Sequence, residues 1–280
     1  MTVFFTRSFK KTSLVLLLAV LAWLVPALQA SGIAVFSVPT LVSSNHPGLG
    51  KPFGFQVTAP QLASLFEALE ERGALDDCAA VITGYFVAAD QVAAVARLLR
   101  RLKARERPPY VMVDAIIGDD DKGRFVPEDV AVALRDELRP LADGIKANRF
   151  ELQWLTGVEV VDAESASRAA RMLGVAEVLA SSIPAGPSRI ANLHVAGGTV
   201  AMEATRKQAG VPKGTGDLLT ALWVADVVQR AGAPAGVVNI LTTSKSGDTV
   251  SRILADERVK TLSFTVSTFV GKMLLHQAAD

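Results

Sequence analysis

The sequence predicts an α/β fold: a mainly parallel central sheet covered by helices on both faces. Short apolar runs of strand length alternate with stretches of helical periodicity between Ile33 and Ala180. Several of the short runs stop at a strand end marked by Gly or Asp, as at Gly84 and Asp114. In open sheets of this kind ligands sit beyond the carboxyl ends of the strands. Asp114, Gly84 and the loop after Thr40 all fall at such ends.

Taken in order, residues 33–42 read as a strand and 43–54 as a loop rich in Gly, Pro, Ser and Asn. Leu62, Leu65, Phe66 and Leu69 recur at helical spacing and predict a helix over 59–72. A short buried strand follows at 79–83. An amphipathic helix over 88–103 carries Val92, Val95, Leu98 and Leu99 on one side. A strand is predicted at 110–113, a helix over 127–139 with Pro127 at its start, and a short strand at 144–146. Helices at 151–155 and 164–173 flank no strand between them, and a strand at 177–180 comes next. Residues 194–201 and their neighbours read as a hairpin turning at Gly197 and Gly198. A helix over 215–228 is entered through a glycine-rich turn.

Composition narrows the function classes. Half of the 280 residues are hydrophobic and the formal net charge is +1, so nothing electrostatic argues for nucleic acid or acidic substrates. The single cysteine, Cys78, excludes an internal disulfide and reads as a small buried hydrophobe. His46, His194 and His276 lie at unrelated spacings and suggest no zinc site.

The N-terminus reads in two ways. Arg7, Lys10 and Lys11 precede an apolar run over 13–24, and Ala27-Leu28-Gln29-Ala30 ends like a cleavage site, so residues 1–30 resemble an export signal. The run is shorter than the roughly 20 residues of a membrane span. A hydrophobic opening strand and helix, stopped at Gly32, gives similar text. The expectation is a cytoplasmic protein, with export through residues 1–30 as the alternative.

Four segments could carry chemistry. Lys213-Gly214-Thr215-Gly216-Asp217 opens an apolar helix. Its glycines allow close backbone approach, and helix N-terminal amides favour an anion. Asp217 could take a proton from an alcohol beside that anion, or could be an ordinary first-turn charge. Asp114, followed by Gly118, Asp119, Asp120 and Asp121, could hold a hydrated cation near a nucleotide or form a solvated acidic turn. Asn148 reads as a helix cap, with Glu151 either a second carboxylate for magnesium or a first-turn charge. Ser43-Ser44-Asn45-His46-Pro47-Gly48 is a polar loop. A P-loop of the form Gly-x4-Gly-Lys-Ser/Thr is absent.

In series these pieces resemble pyridoxal kinases of the ribokinase-like superfamily. The landmarks are Val38-Pro39-Thr40, Ser44 to Gly48, Thr83-Gly84-Tyr85, Val113-Asp114 with Gly118-Asp119, Val126 to Asp129, Leu141 to Asp143, Asn148 to Gly157, Ser181-Ser182 and Gly214 to Asp217. The resemblance runs from about Val25 to Val224. It implies a three-layer α/β/α sandwich and ATP-dependent phosphorylation of the 5′-hydroxymethyl group of pyridoxal. Asp217 would be the base, and the amides of Gly214, Thr215, Gly216 and Asp217 would stabilise the transferring phosphoryl group. Asp114, Glu151, Ser181, Ser182 and Lys213 would meet the nucleotide, and Asp114, Asp119 and Glu151 the Mg2+. Pro47, Gly48, Tyr85 and Asp217 would line the vitamer pocket. A monovalent cation and a homodimer are further expectations of the same resemblance.

Several positions depart from that family. Ala115 stands where it has Pro, and Lys146 where a small or hydroxyl residue is usual; a lysine there could displace a monovalent cation or point outward. Residues 1–24 lack the family's opening Ser-His-Val and Gly-x-Val-Gly loop, which motivates the alternative of a domain that binds without turnover. Residues 231–280 resemble a fragment of an aldehyde dehydrogenase, with Val266 and Phe269 where that family has Gly and Glu, and the join falls around 222–229. Three segments are thus expected: 1–24 as an atypical apolar leader, 25–230 as the kinase-like domain, and 231–280 as a fragment packed on it.

Overall fold

A computed structural model describes residues 2–6, 12–14, 33–44, 51–208, 219–220, 223, 226–227, 229–230 and 246–256. The elements in order are β1 (Thr2–Thr6), β2 (Thr12–Leu14), β3 (Ile33–Val38), β4 (Leu41–Ser43), β5 (Gly54–Gln56), α1 (Ala59–Glu71), β6 (Cys78–Thr83), α2 (Ala89–Lys103), β7 (Tyr110–Asp114), β8 (Gly118–Asp119), β9 (Gly123–Arg124), α3 (Glu128–Ala133), β10 (Gly144–Asn148), α4 (Arg149–Thr156), α5 (Ala163–Met172), β11 (Glu177–Pro184), β12 (Arg189–Ala196), β13 (Thr199–Arg206) and α6 (Ser246–Leu254).

Nine strands form the main sheet in the order β13-β12-β11-β10-β7-β6-β1-β3-β2. Its centre, β11-β10-β7-β6, is parallel throughout. Every residue of β6 is buried, as are four of the five in β7, so helices cover both faces there. The α/β expectation holds. At one edge β12 and β13 return as an antiparallel hairpin. Its turn at Gly197 and Gly198 has φ of +53° and +81°, a left-handed pair that glycine adopts without steric cost. At the other side β1 lies antiparallel between β6 and β3, so residues 2–6 belong to the sheet. The basic cluster Arg7, Lys10 and Lys11, and the helix end and Gly32 stop expected before β3, lie outside the described residues.

Local chemistry sets the element ends. Thr58 caps α1: its hydroxyl accepts from the Gln61 amide, and the Gln61 carboxamide accepts from the Thr58 amide at 2.9 Å. A cap of this type contributes about 1 kcal/mol. The strand expected over 33–42 is broken at Pro39, which cannot donate to a ladder, and resumes as β4, paired with β5 in a separate hairpin. The helix expected over 127–139 begins after Pro127, which is its N-cap, and its regular part ends at Ala133. The chain continues as a π turn at Leu134–Leu138 and a 3-10 turn at Arg139–Leu141, where Pro140 lacks the N–H that an α-helix needs. Cys78 is buried, as expected, with its thiol 3.4 Å from the Ala80 carbonyl.

The helical residues between 219 and 230 run back along the sheet. Thr220 bonds Asp114 at the carboxyl end of β7, the Trp223 ring lies against Gly144, and the Arg230 guanidinium stacks 5.3 Å from the centre of the Tyr110 ring. Glu177 ties that last contact by accepting from Tyr110 at 2.6 Å and from Arg230 at 2.9 Å. The residue pair Thr220 and Arg230 thus spans the length of β7, antiparallel to it.

Candidate functional site

Three buried side chains of opposite character meet at the carboxyl ends of β7 and β10. Asp114 is fully buried and pairs in register with Lys146 across the two parallel strands. Residues in register point to the same face, and the Lys146 ammonium lies 3.0 Å from Oδ1 of Asp114 with the lysine side chain only 8% exposed. Oδ2 of Asp114 accepts from the Thr220 hydroxyl at 2.8 Å. The outward-pointing alternative for Lys146 fails: strand parity carries its side chain inward.

Glu151 completes the group from the first turn of α4. Its Oε2 accepts from the Asn148 amide at 2.7 Å and its Oε1 from the Ile117 amide at 3.1 Å. The Asn148 side chain returns the cap by accepting from the Glu151 amide at 3.0 Å, so the sequence-predicted helix cap forms. Burial pushes the Glu151 carboxyl up to about 7; the Lys146 ammonium and the two amides pull the other way, and the Asp114 charge adds to the rise. The Asn148 amide group also donates to the Gly118 carbonyl at 2.7 Å, fastening the acidic loop to the end of β10. A side chain at Gly118 would collide with the Gly123 carbonyl, so the β8–β9 turn requires glycine there.

Around this centre lie the other sequence-predicted residues. Asp119 is half-buried, and its Oδ1 accepts from the Lys122 amide at 2.6 Å. Ser181 pairs in register with Asn148 on the neighbouring strand and is buried, whereas Ser182 is exposed with φ of +60°. The pair forms a bulge where the ladder to β12 shifts, which lets β11 run on to Pro184, past the end expected at 180. Tyr85 is half-buried, and burial raises its phenol. Pro47, Gly48, Lys213, Gly214, Thr215, Gly216 and Asp217 lie outside the described residues. Among the described residues no three His, Cys, Asp or Glu side chains converge as a metal-binding group, and no helix is long and apolar enough to cross a membrane.

Two residues were missed in the sequence. Thr220 stands three positions after Asp217 in the sequence, within the helix expected over 215–228, and that spacing was the available signal. Gln91 gave none. It is buried at the third position of α2, where its Oε1 accepts from the Val87 amide at 2.9 Å and its Nε2 donates to the Thr40 carbonyl at 2.9 Å and the Val57 carbonyl at 2.6 Å. Thr40 in turn donates to the Tyr85 carbonyl at 2.8 Å. The loops after β3 and β6 are therefore clamped together.

The phosphomethylpyrimidine kinase family model matches residues 54–239. The pyridoxine/pyridoxal/pyridoxamine kinase of Bordetella avium is 34% identical over 212 residues, covering 74% of this chain and 72% of that protein.

This chain belongs to the pyridoxal kinase family.

Among solved structures, the pyridoxal kinase of Leishmania donovani in complex with ADP and pyridoxamine aligns with a TM-score of 0.62 at 29% identity, covering 71% of each chain. The pyridoxal kinase of Entamoeba histolytica aligns at 0.68 and 22% identity, over 90% of this chain and 87% of that one, and shares the fold. Pyridoxal kinases thus support the ribokinase-like sandwich expected from the sequence. An aldehyde dehydrogenase family model also matches residues 212–280; it overlaps the kinase match from 212 to 239, the stretch holding the join read in the sequence.

Proposed function

We propose that this chain transfers the γ-phosphoryl group of ATP to the 5′-hydroxymethyl group of pyridoxal or a related vitamer. The observation that carries the reading is the buried group of Asp114, Lys146, Glu151 and Thr220 at the strand ends, where a sheet of this type receives phosphates. The family membership supplies the reaction class: relatives are named for pyridoxal, and one is solved with ADP.

Asp217 is the base in this reading. It precedes by three residues in the sequence Thr220, whose hydroxyl donates to Asp114. Taking the proton from the vitamer hydroxyl lets that oxygen bond to phosphorus as the bond to the departing ADP oxygen breaks. Gly214, Thr215 and Gly216 offer amides to the transferring group, with Lys213 beside them. ATP supplies the phosphoryl group when bound, and Ser181, level with Asn148 at the end of β10, and Ser182 beside it would meet the nucleotide. The Asp114 and Glu151 oxygens already face protein donors or the Lys146 ammonium, so Asp119 is the acid that would meet an Mg2+ ion, which would neutralise phosphate charge. Pro47, Gly48 and Tyr85 line the vitamer side. Residues 25–230 form the catalytic unit, which we read as a cytoplasmic homodimer, with 231–280 packed upon it.

A second reading has one feature in its favour: the opening strand carries none of the family's substrate-loop motif. It is a domain that binds nucleotide or vitamer without turnover. Incubation with ATP, Mg2+ and pyridoxal separates the two. The kinase reading expects pyridoxal phosphate from the wild type, and a fall of about 10²–10⁴-fold in kcat for Asp217→Asn with ADP binding kept. Wild-type protein that binds ADP and forms no product establishes the second reading and refutes the first.

A further inference from the structure

Lysine stems ordinarily carry their charged ends to water. Lys146 does the reverse, on a strand flanked by β7 and β11, with its ammonium against the fully buried Asp114. A second feature accompanies it. Three of the four oxygens of the two buried carboxylates accept a hydrogen bond, from Thr220 on Asp114 and from the Ile117 and Asn148 amides on Glu151; the fourth, Oδ1 of Asp114, accepts none and faces the Lys146 ammonium as its ion-pair partner at 3.0 Å. A free cation entering between these acids would find a positive charge already standing at the one oxygen that accepts no hydrogen bond.

We infer that the Lys146 ammonium is a built-in monovalent cation, holding the place beside Asp114 and Glu151 that a potassium or sodium ion would fill, so that nucleotide binding by this chain needs neither ion. This rests on the kinase reading for its ligand. The physical argument is one of charge and reach. Buried carboxylates must be paired, and an ammonium is a compact unit charge with three donors. Held by the backbone of β10, it cannot dissociate and takes no ion from solution to fill its place.

The test compares the wild type with Lys146→Thr in choline, sodium and potassium chloride at equal ionic strength, reading Tm and ADP affinity by calorimetry. The wild type is expected to show one Tm in the three salts, and ADP affinities within about twofold of each other. Lys146→Thr is expected to lose stability in choline and to regain it in potassium, with ADP bound about tenfold more tightly in potassium than in choline. A wild type whose Tm and ADP affinity rise in potassium overturns the inference, as does a folded Lys146→Thr protein that responds equally to all three salts. If Lys146→Thr does not fold, the wild-type comparison decides alone. Failure of the wild type to bind ADP in any salt would strike the kinase reading, while the Tm series still reports on the ion.

Discussion

Glu151→Gln should remove a specific part of the pH dependence of stability. The carboxyl is buried, carries two amide hydrogen bonds, and titrates at about 7 in the folded protein against 4.5 as an ordinary glutamate. The folded chain therefore holds this proton more tightly than the unfolded chain does. Stability from this group is fully present below about pH 4.5 and is lost as pH rises through 7. At about 1.4 kcal/mol per pH unit the displacement amounts to roughly 3 kcal/mol. The assay is urea unfolding of wild type and Glu151→Gln at half-unit intervals between about pH 4.5 and 8, at constant ionic strength. Other groups titrate in that window, so the difference between the two proteins is the quantity to follow. The wild type should lose about 3 kcal/mol more than the variant on going from the acid end to the basic end. Parallel profiles would refute the reasoning, because they would mean that residue 151 is as well solvated folded as unfolded.

Two other substitutions probe the architecture around the site. Gln91→Leu removes the partner of the Val57 carbonyl and of the Val87 amide, at about 1–3 kcal/mol for each group that water cannot reach, while the Thr40 carbonyl keeps its bond from the Val57 amide. It should lower the urea midpoint accordingly while weakening vitamer affinity. At Ser182, held at φ of +60°, Val should cost about 1–2 kcal/mol relative to Gly in the same experiment, since a β-branched side chain is strained in the left-handed region.

Much of the fold was legible because its signals are local. The spacing of Leu62, Phe66 and Leu69 foretold α1, and the glycine pair 197–198 foretold the hairpin turn, each from a few adjacent residues. Asn148 and Glu151 were readable as a cap for the same reason. What stayed hidden depends on register or on distant partners. Whether Lys146 points in or out turns on which residue of β7 stands opposite it, and nothing in either strand states that pairing. Gln91 reaches carbonyls 51 and 34 residues away. The ends of β3 and β11 were misjudged because a proline break and a two-serine bulge interrupt the ladders that periodicity assumes to be regular.

The contact between Asp114 and Lys146 also bears on how this sequence can change. Replacing the lysine alone strands an anion in the interior, and replacing the aspartate alone strands a cation; either costs about 3–5 kcal/mol, a large share of what a domain has to spare. Neutral drift at the two positions must then proceed by joint replacement or by first acquiring an external counter-ion. The two positions are therefore coupled: what either one tolerates depends on the residue at the other.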